Sequence, residues 1–406
     1  MNVLHVTASV DPQKGGVTQA VRTIIVGLEN QGVYNSLLCL DKADEFFLKN
    51  DSTVIALGEQ DNPWNYSSRL IPWLNQHLAE YEIVIVHGLW LYHSYAVSRA
   101  IHKVKRDALK LFIMPHGMLD PYFQQARGRR LKAIRNLIYW KLIESKVINR
   151  SNGLLFTCEE EKKLARETFR SYLPKREMVV GLGVEEPPVY HERMKTAFLK
   201  ECPDLENKPF LLFLSRIHEK KGIDLLLDAY ASLLQDITKS ELNTPHQETI
   251  PCNPFPKLVV AGPGIDSLFG QKLQELVAKN PDLMDNVYFP GMLSGDSKWG
   301  AFYSCEAFIL PSHQENFGIA VVEALACSKP VIISDKVNIW REVSDSAAGL
   351  ITEDCSHKIL EVLEAWMNLG SSEKIAMGIN AQNCYFGNFA VLAASERLHQ
   401  SLVRES

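Results

Sequence analysis

The 406-residue sequence lacks several patterns that would assign it to a common class. Its eight cysteines include no C-x-x-C pair, which argues against a zinc site or a disulfide framework and favours reduced thiols. No apolar run approaches the roughly 20 residues that span a bilayer. The first residues resemble a strand rather than a signal peptide. The net charge of -5 argues against general nucleic-acid binding. We therefore expect a cytoplasmic globular protein.

Two further absences concern the chemistry. The first strand is not followed by G-x-G-x-x-G or by a Walker lysine, which disfavours a dinucleotide oxidoreductase. No Asp-x-Asp element stands at a strand end, where it could hold a divalent ion. The sequence therefore predicts neither a metal requirement nor a dinucleotide cofactor.

Short apolar runs alternate with helical patterns along most of the chain. Seven predicted strands precede a Gly- and Pro-rich segment that begins at Gly181. Five more strands follow, at 210–214, 258–261, 287–289, 307–310 and 331–334. Such alternation is typical of doubly wound α/β domains. We predict one at 1–185, a second at 186–385, a final helix at 386–406, and a surface loop at 240–256.

The most informative loop follows the predicted strand 307–310. It carries Glu315 and Gly318, and the apolar helix after it carries Glu323. The backbone amides of 316–319 would be unpaired donors of a helix N-terminus and a ready anion site. In the simpler interpretation both carboxylates are merely solvated. They are not a retaining-glycosidase pair, because eight helical residues rise about 12 Å, whereas that pair lies about 5 Å apart.

Other candidate residues also fall at strand ends. Arg216 can hold a phosphate with two parallel hydrogen bonds, and Lys221 adds a point charge. Gly264 lies in a tight turn, and Met292 could border a nucleobase. These signals are weak singly, since the two cations could be ordinary solvated side chains.

Two candidates lie in the first half of the chain. Gly16 opens a helix in the manner of a phosphate loop. His116 follows an apolar strand and precedes Gly117, where a structural histidine is the more frequent outcome.

Together these motifs resemble the family-four retaining glycosyltransferases of the GT-B fold, in which two Rossmann-like domains face each other across a cleft. Arg216 with Lys221-Gly222, and Glu315-x7-Glu323, carry the resemblance most specifically. The resemblance implies that Arg216 and Lys221 hold the diphosphate of a nucleotide sugar. It also implies that Glu323 takes the ribose hydroxyls.

The resemblance assigns the remaining candidates as well. Glu315 and the amides of Phe317, Gly318 and Ile319 would face the donor sugar and its phosphates. Gly16 would lie against the phosphates from the N-terminal, acceptor-side domain, and His116 would point at the donor sugar. The last helix would cross back to the N-terminal domain. One departure is Ser328, which stands where the family often has glycine.

The function implied is transfer of a hexose, with retention, from a nucleotide diphosphate sugar to a glycan or lipid-linked acceptor. Synthesis of cell-surface polysaccharide or glycolipid is the expected setting, with no cofactor besides the donor. Alternatives on the same fold are a nucleotide-sugar epimerase, a sugar-phosphate synthase or a catalytically silent sugar-nucleotide binding protein.

The segment 127–150 is dense in cations although the chain as a whole is acidic. Apolar residues recur in it at helical spacing, namely Leu131, Ile134, Leu137, Ile138 and Leu142. One interpretation is a domain helix whose apolar face lies in the core. The other is a surface helix that contacts an anionic membrane on its cytoplasmic side, with Tyr139 and Trp140 at the interface.

Overall fold

The computed structural model describes residues 1–49, 51, 53–59, 62–104, 108–126, 129–243 and 255–404. The chain forms two compact units, Met1–Glu185 with Phe389–Ser406, and Glu186–Asn388. Each is an α/β unit built on one parallel sheet. Among the described residues, no helix combines the length and apolar character that crossing a membrane would need.

The first unit contains a seven-stranded sheet with the order β3-β2-β1-β4-β5-β6-β7. Its elements before the linker are β1 (Asn2–Thr7), α1 (Gly16–Glu29), β2 (Tyr34–Lys42), β3 (Val54–Gly58), α2 (Leu70–His77), β4 (Ile83–His87), α3 (Tyr92–Val104), β5 (Lys110–Met114), α4 (Tyr122–Gln125), α5 (Arg130–Tyr139), α6 (Ser145–Arg150), β6 (Gly153–Phe156), α7 (Glu159–Thr168) and β7 (Glu177–Val179). The central strands are almost wholly buried, as the near-continuous apolar runs predict.

The second unit contains a six-stranded sheet with the order β10-β9-β8-β11-β12-β13. Its elements are α8 (Glu192–Glu201), β8 (Phe210–Leu214), α9 (Ile223–Asn243), β9 (Lys257–Ala261), α10 (Leu268–Lys279), α11 (Pro281–Met284), β10 (Val287–Gly291), α12 (Gly295–Ser304), β11 (Ala307–Leu310), α13 (Ile319–Ala326), β12 (Val331–Ser334), α14 (Trp340–Asp345), β13 (Gly349–Thr352), α15 (Ser356–Asn368) and α16 (Ser371–Cys384). The last helix, α17 (Val391–Val403), belongs to the first unit.

The prediction of two doubly wound α/β domains is confirmed, and the structure differs from the sequence prediction in three local details. Helix α9 continues to Asn243, so residues 240–243 are helical, while 244–254 lie outside the described residues. Strand β13 was missed because its apolar run is only two residues long. The last helix begins at Val391 rather than at 386, after a π-helical turn over Tyr385–Phe389.

Helix α17 packs against α1 through a glycine. A Cβ built on Gly27 would lie 2.7 Å from Cβ of Ser395, so only glycine allows this approach. The segment before the helix is also fixed, because the Val184 N–H donates to Phe389 O at 2.8 Å. The C-terminal segment is therefore part of the first unit's packing.

Both sheets reverse their strand order at one place. Strand β1 lies between β2 and β4, and β8 lies between β9 and β11. In open parallel sheets, ligands bind at the carboxyl ends of the strands beside such a reversal. The loops after β8 and β11 meet this condition in the second unit, and those after β1 and β4 meet it in the first.

Helix α13 ends in a Schellman motif with a serine in the glycine position. The Lys329 N–H donates to Ala324 O at 2.9 Å, and the Ser328 N–H donates to Leu325 O at 3.0 Å. Ser328 has φ 59°, in the left-handed region where glycine is favoured. Ser328, which departs from the family's glycine, therefore still adopts the left-handed backbone conformation that this helix end requires.

Replacing Ser328 with glycine should raise the free energy of unfolding by about 0.5–1 kcal/mol. Relief of the left-handed strain is worth about 1–2 kcal/mol, and the greater unfolded-state entropy of glycine takes back about 0.5–1 kcal/mol. Urea unfolding would measure it. Gly32→Ala is the control and should destabilise, since Gly32 follows α1 at φ 75°. A destabilised S328G protein would contradict the assignment.

Candidate functional site

The loops after β8 and β11 are joined to each other through one backbone carbonyl. Lys220 O accepts the His313 N–H at 2.8 Å and the Ser312 hydroxyl at 3.0 Å. Gly222, at φ 66°, lies so close that a Cβ there would be 2.1 Å from Pro311 O. The Lys221-Gly222 and Glu315 motifs, 94 residues apart in sequence, are therefore parts of one structure.

Glu315 is held on two sides. Its N–H donates to Lys336 O at 2.9 Å, and its carbonyl accepts from the Asn338 N–H at 2.9 Å. Its carboxylate forms an ion pair with the Lys221 ammonium, whose side chain is only 9% exposed. The structure thus brings together the residue predicted for the diphosphate and the residue predicted for the donor sugar.

Arg216 is exposed, and within the described part of the chain its guanidinium forms no hydrogen bond or ion pair. Its backbone is nevertheless well fixed, because the next N–H, that of Ile217, donates to Pro263 O at 2.8 Å. Gly264, at φ 104°, lies beneath the same turn, where a Cβ would be 2.9 Å from Ile217 O. Arg216 and Gly264 are thus on interlocked loops, with the guanidinium available to an anion.

Glu323 does have a partner, and the sequence did not indicate it. Lys298 of α12 donates from Nζ to Oε1 of Glu323 at 2.6 Å. The carboxylate is 13% exposed, and burial raises its pKa above the usual value while Lys298 opposes the rise. Nothing in the local sequence distinguishes Lys298 from an ordinary surface lysine. Only the tertiary structure, which brings Lys298 of α12 to Glu323 of α13, reveals its role.

The start of α13 has the expected form. Gly318 adopts the left-handed conformation at the N-cap with φ 77°, and its carbonyl accepts from the Val321 and Val322 N–H groups. The first N–H groups of a helix have no partner within it, and here they follow the Glu315 loop. Phe317 is buried beside them, and Ile319 is half-buried. Met292, by contrast, is 71% exposed in the loop after β10.

The two candidates of the first unit lie at the carboxyl edge of its sheet. Gly16 is exposed and begins α1 directly after Gly15, which has φ 108°. His116 follows β5 at φ 51° and is partly exposed. The turn is fixed because the Gly117 N–H donates to the buried Glu161 carboxylate at 2.5 Å. Burial lowers the pKa of His116 to about 4.

Comparison with known proteins decides the family. The model of glycosyltransferase family 4 matches residues 14–185, and that of glycosyl transferases group 1 matches residues 195–383. The chain belongs to the family-four glycosyltransferases of the GT-B fold. The resemblance stated from the motifs is confirmed.

The relatives of this glycosyltransferase are distant. An uncharacterized glycosyltransferase of Methanocaldococcus jannaschii is 23% identical, over 70% of this chain and 76% of its own. The alpha-monoglucosyldiacylglycerol synthase of Streptococcus pneumoniae is 29% identical, over 56% of this chain and 48% of its own. The chain therefore matches only about half the length of the second relative.

Solved structures share the fold. HepE of Anabaena, crystallised in complex with UDP and glucose, has a TM-score of 0.70 at 17% identity, with all of both chains covered. WaaG, a glycosyltransferase involved in lipopolysaccharide biosynthesis, has a TM-score of 0.62 at 14% identity and covers 99% of each chain. At these identities the likeness establishes the fold alone.

Lys298→Met should destabilise the glycosyltransferase by about 3 kcal/mol near pH 8, because it leaves a largely buried carboxylate unpaired. Without Lys298 the pKa of Glu323 rises further above its usual 4.5. The native state then binds more protons than the unfolded state, so stability falls as pH rises from 4.5 through the folded pKa. Urea unfolding at several pH values would measure this extra slope.

The double variant Lys298→Met/Glu323→Gln is the matched control. With no carboxylate to bury, it should lose the extra pH dependence and recover much of the stability. An equal cost for Lys298→Met at every pH would contradict the pairing, and would reduce the loss to that of the cation–π contact with Trp299.

Proposed function

We propose that this enzyme transfers a hexose from a nucleotide diphosphate sugar, with retention, to a glycan or lipid-linked acceptor. The observation that carries the proposal is the joining of the Arg216–Lys221 loop to the Glu315 loop at the strand-order reversal of the second unit. HepE, which shares the fold, was crystallised with UDP and glucose, and relatives include an O-antigen chain mannosyltransferase of Escherichia coli. We therefore assign the reaction to synthesis of cell-surface polysaccharide or glycolipid.

Breaking the sugar–phosphate bond places negative charge on the departing diphosphate. Arg216 is an exposed cation on a fixed turn, with no ion-pair partner in the described part of the chain, and Lys221 is a mostly buried cation five residues later. The N-terminus of α13 adds partial positive charge. Preorganised donors of this kind stabilise developing charge without reorganising at the moment of reaction. They supply what a divalent ion would, so we propose a metal-independent transferase with no cofactor besides its donor.

The two carboxylates have different partners, which supports different roles. Glu323 is the more buried and pairs with Lys298. We assign it to the ribose hydroxyls, which can donate hydrogen bonds to the carboxylate while Lys298 keeps it ionised. Glu315 pairs with Lys221. Because Lys221 also faces the diphosphate in this proposal, Glu315 orients the lysine. Glu315 also accepts a hydrogen bond from a hydroxyl of the donor sugar. His116 acts on the same sugar.

Arg216→Ala or Lys221→Ala should lower turnover by about 10²-fold or more, because each removes a donor aimed at the leaving group. A thermal-shift screen with uridine, guanosine and adenosine diphosphate sugars would first identify the donor. Turnover would then be followed as release of the nucleoside diphosphate. Lys279→Ala is a matched control, since Lys279 is an exposed cation of the same unit that pairs with Glu275 on the surface of α10.

Turnover like that of the wild type in either variant, with circular dichroism unchanged, would contradict the assignment. Binding of the donor with no turnover by the wild-type enzyme would favour the silent binding protein. Interconversion of free nucleotide sugars would favour the epimerase, and a sugar phosphate as acceptor would favour the synthase.

The acceptor side of the proposal is based on helix α5 and the turn after it. Leu131, Ile134, Leu137, Ile138 and Leu142 are all exposed, Leu131 to 85%. The interpretation of this apolar face as core is therefore wrong. The helix instead packs through Asn136, Trp140 and Glu144, which are buried and recur every four residues.

One detail of the membrane interpretation also needs correction. Trp140 is 2% exposed, stacks on Phe169 at 4.5 Å and donates from Nε1 to Arg170 O at 2.8 Å, so it cannot reach an interface. Arg127 and Gly128 lie outside the described residues. What remains exposed is an apolar stripe beside the cations Arg130, Lys132 and Lys141.

We propose that this stripe rests on an anionic lipid surface and brings the enzyme to a lipid-linked acceptor. A second protein could cover an apolar stripe, but the cations around it favour an anionic leaflet, at about 1 kcal/mol for each Lys or Arg near the surface. The exposed leucine and isoleucine side chains would enter the interfacial region. The cytoplasmic face of the membrane is the expected location.

Flotation with liposomes would test this contact. Binding should require anionic lipid, weaken with salt, and fall several-fold when Leu131, Ile138 and Leu142 become serine or when Arg129, Arg130 and Lys132 do. Leu268→Ser is the control, because Leu268 is 80% exposed in the other unit. Binding that ignores lipid charge, or no binding, would contradict the proposal.

A further inference from the structure

Three histidines in the first unit form a continuous hydrogen-bonded chain. His5 lies in β1, His87 ends β4, and His116 follows β5. These strands are neighbours, with Thr7 opposite His87 and His87 opposite Met114. His5 Nδ1 and His87 Nε2 are 3.0 Å apart, as are His87 Nδ1 and His116 Nε2. The chain thus runs across three strands to the candidate residue at the sheet's carboxyl edge.

The outer end of the chain sets its direction. The Asn35 amide donates from Nδ2 to Val33 O at 3.0 Å, and a carbonyl can only accept. The Asn35 Oδ1 atom is therefore the one that faces Nε2 of His5, also at 3.0 Å. Because that oxygen can only accept, the proton of His5 must be on Nε2.

The requirement that each donor face an acceptor then determines the protonated nitrogen of the next two rings. Burial lowers the pKa of His5 to about 4 and holds that of His87 well below its usual range, so both rings are neutral at physiological pH. A neutral imidazole has one donor and one acceptor. His5 therefore accepts at Nδ1 from Nε2–H of His87, which in turn accepts at Nδ1 from Nε2–H of His116. The remaining ring nitrogen, His116 Nδ1, has no hydrogen-bond partner among the described residues.

We propose that Asn35, His5 and His87 are positioning residues that lock His116 in the Nε2–H tautomer, so that its Nδ1 lone pair faces the ligand. This rests on the proposed function, in which the ligand is the donor sugar. The ligand group that contacts Nδ1 must then donate a hydrogen bond to it, as a sugar hydroxyl can. An incoming acceptor atom, such as a phosphate oxygen, would meet a lone pair and be disfavoured.

Two other roles for the chain fail on its geometry. It is not a metal site, because His87 uses both ring nitrogens for its neighbours, so the three rings do not converge on one point. It is not a proton channel either. A proton entering at His116 could reach only Asn35, whose amide is not a base near neutral pH. The buried chain therefore fixes orientation and tautomer.

The tautomer can be measured directly, without an assay of activity. Long-range ¹H–¹⁵N correlation spectra of the ¹⁵N-histidine-labelled protein distinguish protonated from unprotonated ring nitrogens, and His116→Gln would assign the signals. Wild-type His116 should show a protonated Nε2 and an unprotonated Nδ1. A protonated Nδ1, or a cationic ring at neutral pH, would overturn the inference.

Asn35 offers a matched pair of variants at the partly exposed end of the chain. Asn35→Leu removes the acceptor that sets the direction, so His116 should become a mixture of tautomers. Asn35→Asp keeps an acceptor that cannot donate when ionised, so the wild-type tautomer should return. A single tautomer in Asn35→Leu would overturn the inference, and so would a mixture in Asn35→Asp.

His87→Phe tests the consequence for the reaction. The kcat for transfer from the donor sugar should fall about tenfold or more, as for a misplaced reacting group. Affinity for the free nucleoside diphosphate should stay unchanged. His93→Phe is the control, because His93 is buried beside the three histidines and contacts the His87 backbone carbonyl, at 3.0 Å, rather than the His87 ring. It should spare both tautomer and kcat.

A wild-type kcat in His87→Phe would overturn the positioning role. If His87→Phe does not fold, Asn35→Leu serves for the same kinetic comparison. A wild-type protein that shows the expected tautomer but turns over no donor sugar would refute the proposed function and leave the hydrogen-bond chain established.

Discussion

The candidate site depends on a few backbone hydrogen bonds at one place in the second sheet. Lys220 O accepts the His313 N–H of the loop after β11, and the Glu315 backbone is bonded on both sides to the loop after β12. The Ser312 hydroxyl adds a side-chain bond to the same Lys220 carbonyl. Three loops are thus held together before any side chain is considered. Because backbone groups hold the loops, the cationic and acidic side chains are left to meet each other and a ligand.

Charge in this site is arranged in pairs. Lys221 is matched by Glu315, and Lys298 by Glu323, while Arg216 alone has no partner within the described residues. A largely buried carboxylate is tolerated only with such a partner. The pairing therefore explains how the fold holds two acidic groups largely out of water beside the loops that we propose bind the donor. Arg216, exposed among the described residues, is the cation that we propose meets the anion.

The first unit also buries polar side chains at its sheet edge, but these side chains are neutral rather than paired charges. Its carboxyl edge has a chain of buried imidazoles that ends in an asparagine, and burial keeps the rings uncharged. Neutral rings in a row have a direction, since each must donate at one end and accept at the other. A directional chain can set which atom His116 presents, which a single buried histidine cannot do for itself.

The sequence by itself determined the two α/β domains and the family. Apolar runs of strand length and the loop motifs at Arg216, Glu315 and Glu323 are local patterns, which can be recognised in the sequence without the structure. It failed at β13 and at α9, where the apolar run was too short or a polar composition hid a helix. The sequence showed the helical spacing of the apolar residues in α5, but not whether that apolar face is buried or exposed. Periodicity alone does not tell which face of a helix is covered.

Only the tertiary structure decided the partners. Lys298 reaches Glu323 from another helix, and the three histidines meet because β1, β4 and β5 are neighbours. Strand order brings residues 5, 87 and 116 within hydrogen-bonding distance, and no spacing in the sequence encodes that order. The motifs therefore indicated the chemistry of this glycosyltransferase, while the packing fixed its geometry, because ionisation state and tautomer depend on burial and on what lies within 3 Å.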